Sequence, residues 1–237
     1  MSRETLILSG FSGFPPATFE FLSGIAANND KTWFEAHRPL YSAGYVEPAA
    51  AFVAALGPRL REISPSVRFE PKINGSMQRV NRDIRFSKDK RPYKTNLNLW
   101  FWHGDNKGWD TPGFWFSLTP ETVFMGVGMH GMRGEVLETF RESVVHPRSA
   151  RALLAAVDAV TAGGYAVGEK SRKLAPKGYA TDGPAAEFLL YESLHSEARL
   201  PAEAARAADF VDVCAAHFRA MWPIGEWLLN EVSSDKK

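Results

Sequence analysis

Residues 113–130 read GFWFSLTPETVFMGVGMH, and their reading decides the fold. Two runs rich in aromatic and aliphatic residues, GFWFSLT and TVFMGVGMH, flank Pro120-Glu121, the signal of a β-hairpin. Val123, Met125, Val127 and Met129 alternate and so share one face of the second strand. Gly126 and Gly128 fall on the opposite face, which predicts that a helix or another backbone packs very close there. Just upstream, NLNLWFWH (96–103) alternates as well. Leu97, Leu99 and Phe101 point one way; Asn96, Asn98, Trp100 and Trp102 point the other. Trp100, Trp102 and Trp115 either form an exposed aromatic patch or lie under a helix, and burial is the expectation.

On both sides of this β-rich middle the pattern is helical. Thr18 is placed to cap FEFLSGIAANN, and Asp30 to cap a single helix KTWFEAHRPLY. Pro48 suits a first helical turn, after which Phe52, Leu56, Leu60 and Ile63 recur on one face until Ser64-Pro65. In the last third GEVLETFRESVV, PRSARALLAAVDAV, PAAEFLLYESLH and PAEAARAADFVDVCAAHFRAMW each carry an apolar stripe and read as helices. The order α–β–α, with neighbouring strands joined by a tight turn, predicts one α+β domain. Its centre is a mainly antiparallel sheet on which helices from both ends pack. The domain is expected over 11–231, with 1–10 and 232–237 as flexible ends.

The bulk properties set limits. The chain has 237 residues, 45% of them hydrophobic and 23% charged, as in a globular protein with a sizeable core. The only cysteine, Cys214, sits in an apolar helical stripe and reads as a buried structural thiol. The start, MSRETLILSGFSGFPP, lacks the long apolar core of a signal peptide, and no run approaches the ~20 apolar residues of a membrane span. A cytoplasmic protein with no membrane partner is the expectation.

Net charge is only +1, but it is unevenly spread. Nine Lys or Arg lie between Arg68 and Lys94 against three acids, Glu70, Asp83 and Asp89. They crowd RVNRDIRFSKDKRPYKTN (79–96), where such focused charge can act on an anion. If 79–86 is extended, Val80, Arg82, Ile84 and Phe86 share a face. The apolar three want the core, and Arg82 is drawn in with them, so it needs a carboxylate from elsewhere or a bound anion. Arg79 and Arg85 flank Asp83 and keep it ionised. Two readings follow. In one, Arg79, Arg82, Arg85, Lys90 and Lys94 cradle an anion, with Lys173 and Lys177 of RKLAPKGY joining from another loop, and Tyr93 and Trp102 are candidates to stack on a base where the ligand carries one. The ligand is then a nucleotide, a nucleic-acid backbone or a phosphorylated metabolite. In the other, the Arg/Asp cluster is an ion-pair network within a protein-interaction module, and the aromatic sheet face meets a protein partner.

The run R-x-x-R-D-x-R-F-x-x-D-K-x-x-Y, filled by Arg79, Arg82, Asp83, Arg85, Phe86, Asp89, Lys90 and Tyr93, resembles the signature of the domain-of-unknown-function family numbered 2461. Phe14, Pro15, Asn28, Asn29, Trp33, Phe34 and Tyr41 resemble its N-terminal part. GMH at 128–130 and APKGY at 175–179 resemble its later blocks. The resemblance implies membership and a single-domain length; it implies no reaction.

Catalytic candidates are few. Asp83 and His130 are the groups to consider for acid–base chemistry. The six histidines show no metal-ligand spacing, so no metal site is expected, and no cofactor is indicated. Glu70 and Lys72 have an E-x-K spacing, without an assignable upstream acid. No phosphate loop, dinucleotide fingerprint or nucleophile elbow is present.

Overall fold

The structure, a computed structural model, describes residues 10–105 and 110–233. Its centre is a four-stranded antiparallel sheet in the order β1-β2-β3-β4, formed by Leu97–Phe101, Gly113–Leu118, Thr122–Met129 and Leu194–Pro201. The first three strands and the 119–121 turn are where the alternation put them. Their apolar face is dry: Leu97, Leu99, Phe101, Phe114, Phe116, Leu118, Val123, Met125 and Val127 are all buried.

Helices cover that face. α1 is Pro16–Ala27, α2 Lys31–Ala36, α3 Arg38–Tyr41 and α4 Glu47–Ile63; α5 is Gly134–Val145, α6 Pro147–Ala162 and α7 Phe210–Glu231. α7 lies against β3 and also packs on α4 and α6. Its first half, from Phe210 to Trp222, joins a core with α1, α4 and the sheet. Ile224, Trp227 and Leu228 join a second core with α5 and α6. One helix thus ties both clusters into a single α+β body. Cys214 is fully buried within α7, as its stripe predicts. No described helix is long and apolar enough to cross a membrane.

Several elements differ from the sequence reading. α1 starts at Pro16, not after Thr18: proline presets the helical φ and needs no N–H in the first turn. The Thr18 side chain is buried instead. Asp30 does cap α2, accepting from Trp33 N at 2.9 Å. The expected single helix to Tyr41 breaks at His37, because Pro39 would collide with the carbonyl of residue 35 in a continuous helix. A π-turn, Ser42–Val46, then leads into α4. The largest difference is at PAAEFLLYESLH, read as a helix. It forms a 3-10 turn, Ala186–Leu190, and then opens into β4. The final helix likewise begins only at Phe210, after a second 3-10 turn, Ala202–Arg206. The ends expected to be flexible lie mostly outside the described residues, but Val232 and Ser233 are buried.

The second face of the sheet carries Asn98, Trp100, Trp115, Ser117, Phe124, His195, Glu197 and Arg199, of which Arg199 is exposed and the rest are partly so. Trp102, beyond the end of β1, is buried. The glycines on this face are seats for rings. A Cβ on Gly113 would strike the Trp100 indole, and one on Gly126 would strike the Trp115 indole and stand 2.5 Å from the Ser196 carbonyl oxygen. The close neighbours predicted at Gly126 and Gly128 are therefore the β4 backbone, together with a tryptophan laid flat. Gly126→Ala should lower stability by about 1–3 kcal/mol, because the carbonyl cannot move aside. Denaturant unfolding followed by tryptophan emission checks this, and an unchanged midpoint would refute the seating.

Candidate functional site

The basic segment is a hairpin set on the outer edge of β1. Residues 76–78 pair with that edge: Trp100 N donates to Ser76 O at 2.9 Å, and Gln78 N to Asn98 O at 3.0 Å. The chain then leaves the sheet and returns. Lys94 N donates to Val80 O and Arg82 N to Pro92 O, both at 2.8 Å, which closes the hairpin at its base. Asn29, just past α1, grips the returning strand. Its Nδ2 donates to Tyr93 O at 3.1 Å and its Oδ1 accepts from Tyr93 N at 3.0 Å. The Tyr45 hydroxyl donates to Gln78 O at 3.2 Å. Tyr93 is buried and stacks on Phe34 with centroids 4.5 Å apart, so its ring packs the base.

Beyond this base the arginines turn on their own carboxylates. Arg82 donates to Asp89 Oδ2 at 2.8 Å and to Arg91 O at 3.0 Å. Arg91 forks onto Asp89, and Arg85 onto Asp83. Arg82 thus meets a carboxylate, as a drawn-in guanidinium must, and it comes from seven residues along the same hairpin. Hydrogen bonds from the Arg91 side chain hold the Asp89 carboxyl far below the usual range; those from Arg85 lower Asp83. Asp83 is therefore an ionised, orienting carboxylate. Lys90 donates to Ile84 O at 3.0 Å. The expectation that Val80, Ile84 and Phe86 all enter the core holds for Val80 only. Ile84 is partly exposed and Phe86 is 95% exposed at the tip. The strand alternation lapses because the chain turns at 83–85, where Asp83 Oδ1 accepts from Arg85 N at 3.1 Å.

Two cations of the hairpin are treated differently. Lys94 is half-buried, and its ammonium donates to Gln78 Oε1 at 2.6 Å. Its pKa is lowered, first by desolvation and then by the charge of Arg79. Arg79 is also felt at Asp83 through space, but has no ion pair among the described residues. Two like charges thus stand together at the hairpin base. Lys173 and Lys177 are elsewhere: Val167 bridges Ser196 on the outer edge of β4, and Ser171 N bonds Leu190 O. The width of the sheet, about 14 Å for three strand spacings, separates that loop from β1. The topology does not bring these lysines to the hairpin.

A second cluster is one that linear spacing cannot show. His130 follows the end of β3, and His195 on β4 is the register partner of Gly128. Their rings lie 4.1 Å apart, with Trp115 4.5 Å from His130 and 5.9 Å from His195. Burial and the neighbouring His195 push His130 down to about 4, against a weaker opposing pull from Glu197. Burial lowers His195 as well. Both are neutral at pH 7, and His130 is a weak base there. It opens onto a cleft of about 470 Å³ lined by Asp110, Gly131, Met132, Arg133 and Val136. Among the described residues no three His, Cys, Asp or Glu are grouped to hold a metal. Glu70 is taken up by Lys72 at 3.2 Å.

The fold and the hairpin place the chain in a class of small α+β proteins built on one antiparallel sheet. It belongs to the conserved hypothetical protein family DUF2461, whose model matches residues 17–227. No curated protein and no solved structure matches it.

Two outcomes are expected. Asp89→Ala frees Arg82 and Arg91, so trypsin should cut within 82–91 much faster while the melting temperature moves little, since exposed pairs contribute only about 0–1 kcal/mol. A large drop in melting temperature would instead make the network a fold determinant. In an NMR titration His130 should titrate near 4. Because its neutral form is favoured in the folded state, stability should fall as pH drops from about 6.5 toward that value. His195→Ala removes both burial and a like charge, so the His130 midpoint should rise.

Proposed function

We propose that this protein binds an anionic, phosphate-bearing ligand at the base of the 79–94 hairpin, through Arg79 and Lys94. The observation that carries this reading is the half-buried Lys94 ammonium beside Arg79, with an amide oxygen in place of a carboxylate. Placing a partly desolvated cation next to another is unfavourable unless an anion joins them. Lys88 and Lys90 on the exposed hairpin add a positive field that steers an anion inward. In this division of labour Arg82, Arg85 and Arg91, with Asp83 and Asp89, build the hairpin, and the two basal cations meet the ligand. Tyr93 supports the base from beneath.

The alternative, a structural network within a protein-interaction module, is favoured by the pairing of Arg82, Arg85 and Arg91. It leaves unexplained why Lys94, within reach of the Arg79 charge, is met by an amide oxygen rather than a carboxylate. Thermal shifts with inorganic phosphate and pyrophosphate separate the two readings. The anion site predicts stabilisation that fades with salt and is lost in Arg79→Ala and in Lys94→Met. Without ligand, Lys94→Met should be no less stable than the parent, because it removes a desolvated cation. Binding should raise the lowered pKa of Lys94, so affinity should fall as pH rises through that pKa. No shift with either anion, together with a destabilised Lys94→Met, would favour the structural network.

A further inference from the structure

The cleft at His130 lies away from the hairpin. The register of the sheet puts Leu97, Leu118 and Val123 at one end and Phe101, Phe114 and Val127 toward the other. The hairpin leaves beside Asn98, at the first end, and the cleft opens after Met129, at the second. Its wall is held in place. Beyond His130 the chain turns through Gly131 and Gly134, whose φ angles of +62° and +53° favour glycine. Gly131 N donates to Ser193 Oγ at 2.8 Å and Met132 N to Glu192 O at 2.7 Å, which fastens the turn to the residues leading into β4. A Cβ on Gly131 would meet nothing within 4 Å, so open space stands before the turn. The cleft holds about 470 Å³, within the roughly 300–1,000 Å³ of small-molecule sites. Three kinds of group line it. Asp110 and Arg133 are exposed and of opposite charge, and neither side chain has an ion pair or a hydrogen bond among the described residues. Met132 and Val136 supply an apolar wall. His130, packed against Trp115 and His195, makes no hydrogen bond among the described residues. Uncharged at neutral pH, its ring offers one donor and one acceptor.

We propose that this cleft binds a small zwitterion, an α-amino acid with an apolar side chain. The ammonium meets Asp110, the carboxylate meets Arg133, and the side chain lies on Met132 and Val136. A ligand of one sign answers only one of the two lining charges and is repelled by the other; a ligand carrying both signs answers both. Each contact is a charge-assisted hydrogen bond, and the guanidinium fork suits a carboxylate. His130 adds a hydrogen bond of either sense, which fits a ligand with donors at one end and acceptors at the other. This site goes beyond the anion reading of the hairpin and shares no residue with it.

The test uses the full chain and follows the His130 ring signals by NMR as three probes are added. They are L-leucine, 4-methylpentanoate, which lacks the ammonium, and 3-methylbutylamine, which lacks the carboxylate. L-leucine should move the His130 signals saturably. Each truncated probe should bind at least about 10-fold more weakly, the worth of one hydrogen bond to a charged group. Arg133→Gln should then close the gap between leucine and 3-methylbutylamine, and Asp110→Asn the gap between leucine and 4-methylpentanoate. Lys94→Met should leave all three affinities unchanged. Leucine that leaves the His130 signals unmoved would overturn the proposal. So would a truncated probe that binds as tightly as leucine, since the cleft would then read one charge alone. A loss of leucine binding in Lys94→Met would move the ligand to the hairpin and overturn it as well. The first two results leave the anion reading of the hairpin standing. Because the three probes are compared on the unmodified chain, the proposal stays decidable even if a variant folds poorly.

Discussion

Everything else in the molecule depends on the sheet having one face that must be dry. Leu97, Leu99, Phe101, Phe114, Phe116, Val123, Met125 and Val127 cannot stay in water, and α4 and α7 are what cover them. α7 comes close because Gly225 faces Val127; a Cβ there would stand 2.7 Å from the Val127 Cγ1 atom. Once the helices are committed to that side, the other side is left for polar and aromatic residues. The partition into a structural face and an available face is thus a consequence of burial.

The hairpin follows a different logic. Its cations outnumber its carboxylates, yet most guanidiniums are satisfied locally by Asp83, Asp89 and the Arg91 carbonyl. These exposed pairs shape the loop rather than stabilise the fold. The tertiary hold is at the base, where Asn29 and Tyr45 fasten the backbone and Phe34 stacks on Tyr93. Local charge pairing and distant anchoring together leave Arg79, Lys88, Lys90 and Lys94 without a bonded carboxylate among the described residues, and of these Arg79 and Lys94 belong to the base.

The ring row on the open face shows how glycine acts at a distance in sequence. Gly113 and Gly126 are needed where they are because an indole from the neighbouring strand lies across each. The pairing of β3 with β4 sets His130 and His195 side by side although 65 positions separate them. Their shared burial, more than any hydrogen bond, is what keeps them uncharged at neutral pH.

From the sequence alone the α+β class, three of the four strands, the 119–121 turn, the cap at Asp30, the face of α4 and the burial of Cys214 were legible. Each is written in local periodicity or in a single capping residue. The charge excess of 79–94 and its family signature were legible for the same reason. β4 was not, because Ser196 and Ala198 are too small to mark the inward face and the run beside them, EFLLYESL, looks helical. Phe86 could not be placed, since an extended alternation and a turn share the same letters until hydrogen bonds choose between them. The partners of Arg82, the separation of Lys173 and Lys177 from the hairpin, and the meeting of His130 with His195 were decided only by the tertiary structure. All of these are distances between segments far apart in sequence, and local periodicity does not say which segments pair.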